Sequence, residues 1–295
     1  MKKIIAFLLV CMMVVVAGAC SNKEAEPTVS PSLVPSVAPS DDPTEAPTEA
    51  PTEAPSDDPT ETPSGDDNAV KDMTDSLEIS LTYDANGTVS NGVVDGPEIK
   101  AYNGKTIETE KNTETGRWQS NLKDGTDFYM ASLVDLYDYM AEAFTLEFCF
   151  KFTEAPAAPY CGVIDNCEAG GFGFELHPDP NGSTSTAILK WNLMIDSEYI
   201  LQDITVNIDT WYHVVVSWDG CYSNIYINGE LADSYDTMYG FIGFTEIDTA
   251  KHLAIGACCS QNNSGGAGFV GSISLCNLYI DSVNAATAAD LYSKL

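Results

Sequence analysis

The chain has 295 residues, 44 acidic and 13 basic, for a net charge of −31. Such a surface repels nucleic acid and anionic lipid headgroups and excludes both as partners, leaving neutral glycans, basic proteins and divalent cations. With 44% hydrophobic residues, the length suffices for one sandwich-sized core plus flanking segments.

In chain order, residues 1–20 read as a secretory signal. MKK is a basic start, IIAFLLVCMMVVV an apolar run, and AGAC a small-residue cleavage sequence. The run is too short and wrongly flanked for a membrane span. A cysteine at the cleavage point resembles a bacterial lipoprotein signal. That implies a lipidated Cys20 as mature N-terminus and an extracytoplasmic position, anchored to the cell membrane and projecting to the cell surface. Ala17 stands where leucine is commonest in such signals, and cleavage after Ala19 with Cys20 left a plain thiol is the other reading. Residues 21–75 follow as an acidic Pro/Thr/Glu-rich spacer. Proline recurs every fourth residue from Pro27 to Pro63, in units such as PTEA and PSDD, with almost nothing apolar between. This composition predicts a disordered, extended segment, on the order of 145 Å long at about 3.1 Å per residue.

Residues 76–295 carry the domain, with 30 acids against nine bases. Strand patterns run through it: 77–83, 145–152, 171–176, 187–195, 212–218, 224–228, 252–257 and 272–280, separated by Gly, Asn, Asp and Pro clusters. Helices are expected at 133–143 and at 285–292, the second behind an Asn284 cap. Many short, regularly spaced strands predict an all-β, two-sheet antiparallel jelly-roll sandwich. The stretch WYHVVVSWDGCYSNIYINGE reads as two strands broken at Asp219-Gly220 and Asn228-Gly229, the latter a strong hairpin signal. Alternation puts Tyr212, Val214, Val216 and Trp218 on one face, and Trp211, His213, Val215 and Ser217 on the other. Both faces are largely apolar, so the strand is expected to be central and His213 to pack and hydrogen-bond rather than titrate.

The ordered segments FTLEFCFKF, GGFGFEL, WYHVVVSWDGCYSNIYINGELA, LAIGA and GFVGSISLCNLYIDSVNAATAADLY resemble the laminin-G-like, concanavalin A-like jelly-roll domains over about residues 144–292. The resemblance implies that fold, and a calcium ion held by loop oxygens in many members. Asp84 and Asn86, or Asp165 and Asn166, are the candidate ligands here. Two departures lower the case for calcium: Ser274 and Leu275 replace an Asp-Glu pair of the closing strand, and GGFGF lacks a preceding Asp. Laminarinase-type relatives carry E-x-D-x-x-E to supply two carboxylates across a sugar bond. Here Glu246 and Asp248 keep the spacing while Lys251 replaces the last acid, so no catalytic set is assigned.

Seven cysteines in the domain are an odd number without zinc-type spacing. Cys149 and Cys276 fit apolar strands, and Cys161 and Cys167 are a candidate disulfide whose geometry the sequence leaves open. Trp118, Trp191, Tyr239 and Phe241 are the candidate platforms for stacking a sugar face. Together these features predict a surface-anchored, non-catalytic module that recognises an extracellular carbohydrate or a surface protein. A glycan-active enzyme of the same fold and a ligand-free scaffold lipoprotein are the rival readings.

Overall fold

The computed structural model describes residues 68–166, 171–195, 198–237, 242, 252–258 and 267–295. The described residues all belong to one compact unit, Glu61–Leu295. The leader, Cys20, most of the spacer, Cys167, Tyr239, Phe241, Glu246 and Asp248 lie outside them.

Sixteen strands occur among the described residues. In the first half they are β1 (Leu77–Tyr83), β2 (Val89–Asn91), β3 (Lys100–Ala101), β4 (Glu108–Lys111), β5 (Trp118–Leu122), β6 (Tyr129–Ser132), β7 (Phe144–Phe152) and β8 (Cys161–Asp165). The second half adds β9 (Phe172–Pro178), β10 (Thr186–Ile195), β11 (Glu198–Asn207), β12 (Tyr212–Trp218), β13 (Tyr222–Ile227), β14 (Glu230–Asp236), β15 (His252–Ile255) and β16 (Gly271–Tyr279). Two antiparallel sheets result. One runs β14-β13-β12-β7-β16-β1-β2, with β5 beside β16 and β4 beside β5; the other runs β11-β10-β9-β8-β15-β6-β3. This is an all-β, concanavalin A-like jelly-roll sandwich.

Strand alternation builds the core. Phe144, Leu146, Phe148, Phe150 and Phe152 of β7 meet Phe172, Phe174 and Leu176 of β9 and Leu189, Trp191 and Leu193 of β10 between the sheets. Each such side chain contributes about 1.5–3 kcal/mol through its burial. All seven residues of β12 are buried, as both its faces are covered. Tyr212, Val214, Val216 and Trp218 point into the main core, while Val215 joins Met73, Tyr226, Tyr279, Val283 and Ala288 in a second apolar cluster on the outward side. The cover there is α2 (Ala285–Ser293), whose Asn284 cap accepts from the Thr287 amide at 2.8 Å. Its predecessor in the chain is shorter than expected, because only Tyr137–Met140 of residues 133–143 is helical.

Both breaks expected in WYHVVVSWDGCYSNIYINGE are present. Asp219 Oδ1 accepts the Cys221 and Tyr222 amides, and Asn228-Gly229, with φ of 52° and 81°, joins β13 to β14. The folded unit also starts earlier than residue 76. Met73 is 5% exposed, the Lys71 amide donates to Thr287 Oγ1, and Asn284 Nδ2 donates to the Ala69 carbonyl.

Candidate functional site

A polar site with exposed aromatic walls forms on the outward face of the seven-stranded sheet. In β9, Phe172, Phe174 and Leu176 turn inward, so Glu175 and His177 turn outward. The same alternation presents Lys190 and Asn192 from β10 and Tyr199, Leu201 and Asp203 from β11. Register places Lys190 between Glu175 and Asp203, and Asn192 between Gly173 and Leu201. Lys190 pairs with Asp203 at 2.5 Å, Asn192 Nδ2 donates to Glu175 Oε2 at 2.9 Å, and His177 Nε2 lies 3.2 Å from the same oxygen. Glu175, His177, Lys190, Asn192, Tyr199 and Leu201, with Tyr160, line an open cleft of about 610 Å³.

Tyr160, Tyr199 and Leu201 are 61%, 44% and 56% exposed. Three large apolar side chains left in water around one polar floor are unusual for a sheet surface. Tyr160 also sits at φ 68°, a left-handed conformation that disfavours an aromatic residue, and its ring meets His177 edge-on at 4.9 Å.

Beneath the cleft, Asp165, Glu175 and Cys258 bring one donor atom each within 4.8 Å of one another. Cys258 Sγ lies 3.3 Å from Glu175 Oε1, 3.8 Å from Asp165 Oδ2 and 3.2 Å from the Tyr160 carbonyl. Gly162 makes this approach possible: a Cβ there would stand 2.0 Å from the Cys258 nitrogen. Gly256, at φ 107°, supplies the turn that carries the 257–258 segment across β8. Two carboxylates and a sulfur are the donors of a borderline ion such as zinc, whereas calcium takes six to eight oxygens.

Residues 124–289 match the family described as the concanavalin A-like lectin/glucanases superfamily. The chain belongs to that superfamily. No curated protein matches the chain. Among solved structures, the binding domain of botulinum neurotoxin DC in complex with SialylT superposes with a TM-score of 0.53 at 15% identity, covering 76% of this chain and 52% of that one. The receptor-binding domain of the botulinum neurotoxin C/D mosaic serotype gives 0.54 at 14% identity, covering 75% and 51%. The neurotoxin DC domain in complex with rat synaptotagmin II gives 0.51 at 15%, covering 76% and 52%. At such identities the likeness is one of fold, and this chain spans about half the length of those domains.

Within this lectin/glucanase-type domain the expected site residues scatter. Trp191 is fully buried against Phe172 and Phe174 and donates to Ser223 Oγ at 3.0 Å, so it offers a ligand no face. Trp118 is half-buried, with Lys111 Nζ 5.4 Å over its ring and Gly87 packed against its edge. Asp84 Oδ1 accepts the amides of Asn86 and Thr88 at 2.7 and 2.9 Å; the Thr88 bond foremost, with that to Asn86, holds its carboxyl below the usual range. Asp84 and Asn86 therefore shape an exposed turn after β1. Asp165 joins Glu175 and Cys258, while Asn166 Nδ2 donates to the His252 carbonyl at 2.7 Å. Cys161 carries a thiol that donates to the Ala158 carbonyl at 3.5 Å, and burial, then the Glu175 charge, pushes its pKa up. The sequence reading missed Tyr160 and Tyr199. Tyr199 sits in EYILQDITVN, an alternating apolar-polar strand pattern that marks outward residues; Tyr160 carries no such signal, because only its backbone conformation sets it apart.

Proposed function

We propose that the domain is a non-catalytic recognition module that binds an extracellular carbohydrate in the cleft between Tyr160 and Tyr199. The observation that carries this reading is the pairing of two exposed tyrosines with a floor of Glu175, His177, Lys190 and Asn192. Aromatic faces suit the C–H face of a sugar, and the floor supplies hydroxyl partners of both kinds. The acidic pair below the cleft argues for binding without hydrolysis. A retaining pair stands about 5–5.5 Å apart with the glycosidic oxygen between its members. Here the Cys258 sulfur occupies that space, and Asp165 is fully buried.

The leader and spacer support an exported protein anchored through Cys20 and held away from the membrane, with a surface protein as the alternative partner. A glycan array probed with the wild-type chain and with Tyr160→Ala, with and without calcium, tests the binding reading. Saturable binding that Tyr160→Ala abolishes in either condition is expected. A featureless array for the wild type overturns the carbohydrate assignment. Anchoring is checked separately: Cys20→Ser should move the protein from the membrane fraction to the soluble one.

A further inference from the structure

The outward face of the nine-stranded sheet carries a second cleft that the reading above does not use. It measures about 460 Å³ and opens between the end of α2 and strands β7, β12 and β16, with Arg117, Trp211, His213, Ser274 and Tyr292 in its lining. Two polar atoms in it lack partners among the described residues: the indole Nε1 of Trp211 and Nδ1 of His213, both shielded from solvent. His213 itself is only 2% exposed. Leaving a buried donor or acceptor unpaired is costly, and native structures hold few such atoms.

Their chemistry is complementary. His213 Nε2 lies 3.0 Å from Glu147 Oε1. With the Nε2 proton donated to the Glu147 carboxylate, the tautomer that leaves Nδ1 bare presents a lone pair there. Trp211 Nε1 only donates. Trp211 and His213 lie two residues apart and both line the cleft, so a donor and an acceptor there suit a hydroxyl group, which gives one bond and takes another.

Charge adds a second requirement. Arg117 is the only arginine in a chain of 44 acids, and among the described residues it makes no ion pair; its guanidinium donates from Nη2 to the Lys294 carbonyl. Lys151, 5.5 Å over the Trp211 ring, is likewise without a carboxylate. Lys71, Lys100, Lys105, Lys123, Lys190 and Lys294 all have one, and Lys111, over the Trp118 ring, is the remaining described lysine without. Two uncompensated cations beside one cleft attract an anion, and a guanidinium is shaped to take a carboxylate with two parallel bonds.

We propose that this cleft binds a small hydroxylated carboxylate of the hexuronic acid type, its carboxylate on Arg117 and a hydroxyl bridging Trp211 Nε1 and His213 Nδ1. The site is separate from the Tyr160 cleft, which faces outward from the other sheet. Calorimetric titration of the full chain with galacturonate, galactose and acetate tests it. Galacturonate should saturate, and galactose and acetate should each bind at least about tenfold more weakly, for want of the carboxylate or the hydroxyls. Trp211→Phe keeps the ring and removes the N–H, and Arg117→Gln removes the charge. Each should weaken galacturonate by about tenfold with the melting temperature held, while Tyr160→Ala leaves it unchanged. Arg117→Gln decides the matter alone if Trp211→Phe fails to fold. Absence of saturation, galactose binding as tightly as galacturonate, unchanged affinity in Arg117→Gln, or loss of affinity in Tyr160→Ala each overturns the assignment.

Discussion

The outward faces of the two sheets differ in how far the rest of the chain covers them. On the seven-stranded sheet, Glu175, His177, Lys190 and Asn192 look into an open cleft walled by exposed tyrosines. On the nine-stranded sheet, Glu147 of β7, His213 of β12 and Asn277 and Tyr279 of β16 occupy comparable outward positions, yet α2 and the segment before β1 cover that sheet. There Glu147 is 3% exposed and gathers His213 Nε2 at 3.0 Å, the Tyr279 hydroxyl at 2.7 Å and Asn277 Nδ2 at 2.8 Å. Polar residues at outward positions therefore have no fixed meaning in this fold. Uncovered, they stay open to a ligand; where α2 and the segment before β1 cover them, as around Glu147, they bond to one another and their loss is felt as stability.

The largest expected effect breaks the covered network. Glu147→Ala strands three donors and should cost about 3–5 kcal/mol in urea unfolding, whereas Lys190→Ala on the open face should cost under about 1 kcal/mol. Equal costs would erase the contrast between the faces. Acid probes the same group. Burial pushes the Glu147 pKa up, but the bonds from His213, Tyr279 and Asn277 outweigh it and leave the carboxyl below the ordinary glutamate range. A depressed folded pKa stabilises above the unfolded value, so this contribution is complete above about pH 4.5 and is lost as pH falls through the lowered value. Glu147→Gln should flatten that part of the stability–pH curve.

Next in size is the cover itself: Asn284→Ala removes the α2 cap and the bond to the Ala69 carbonyl, and should cost about 1 kcal/mol. Smaller still, Tyr160→Ala should shift stability by no more than about 0.5 kcal/mol while removing glycan binding, since the ring is mostly in solvent. Calcium at millimolar concentration should leave the melting temperature unchanged. A clear rise would show that loop oxygens near Asp84 or Asp165 assemble a site despite their present partners.

The fold was legible because its central strands are buried on both sides or alternate strongly. YHVVVSW, TLEFCFKF and AILKWNLMI announce themselves by β-branched and aromatic density, and the Asn-Gly and Asp-Gly turns mark where they reverse. Eight strands escaped notice: the short β2, β3 and β4, since ETEK and KA carry no apolar signal and pair only because neighbouring elements hold them there, and also β5, β6, β8, β11 and β14. Site residues were harder for a physical reason. Whether Trp191 lies in the core or on the surface depends on the parity of its strand, and Leu189 and Leu193 on the same face would have shown it. Bringing Cys258 to Asp165 and Glu175 depends on Gly162 in a strand almost 100 residues away in the chain, a closeness that no local pattern records.

The position of β16 sets a clock on folding. This next-to-last element lies inside the nine-stranded sheet, pairing with β7, β5 and β1, whose residues precede it by about 120 to 200 positions. Until residues 271–279 are available, β1 and β5 have no place to dock and half of that sheet cannot close. Such long-range pairing slows folding and keeps the chain open until its last segment arrives. That order fits the export proposed above, in which the jelly roll completes itself only after crossing.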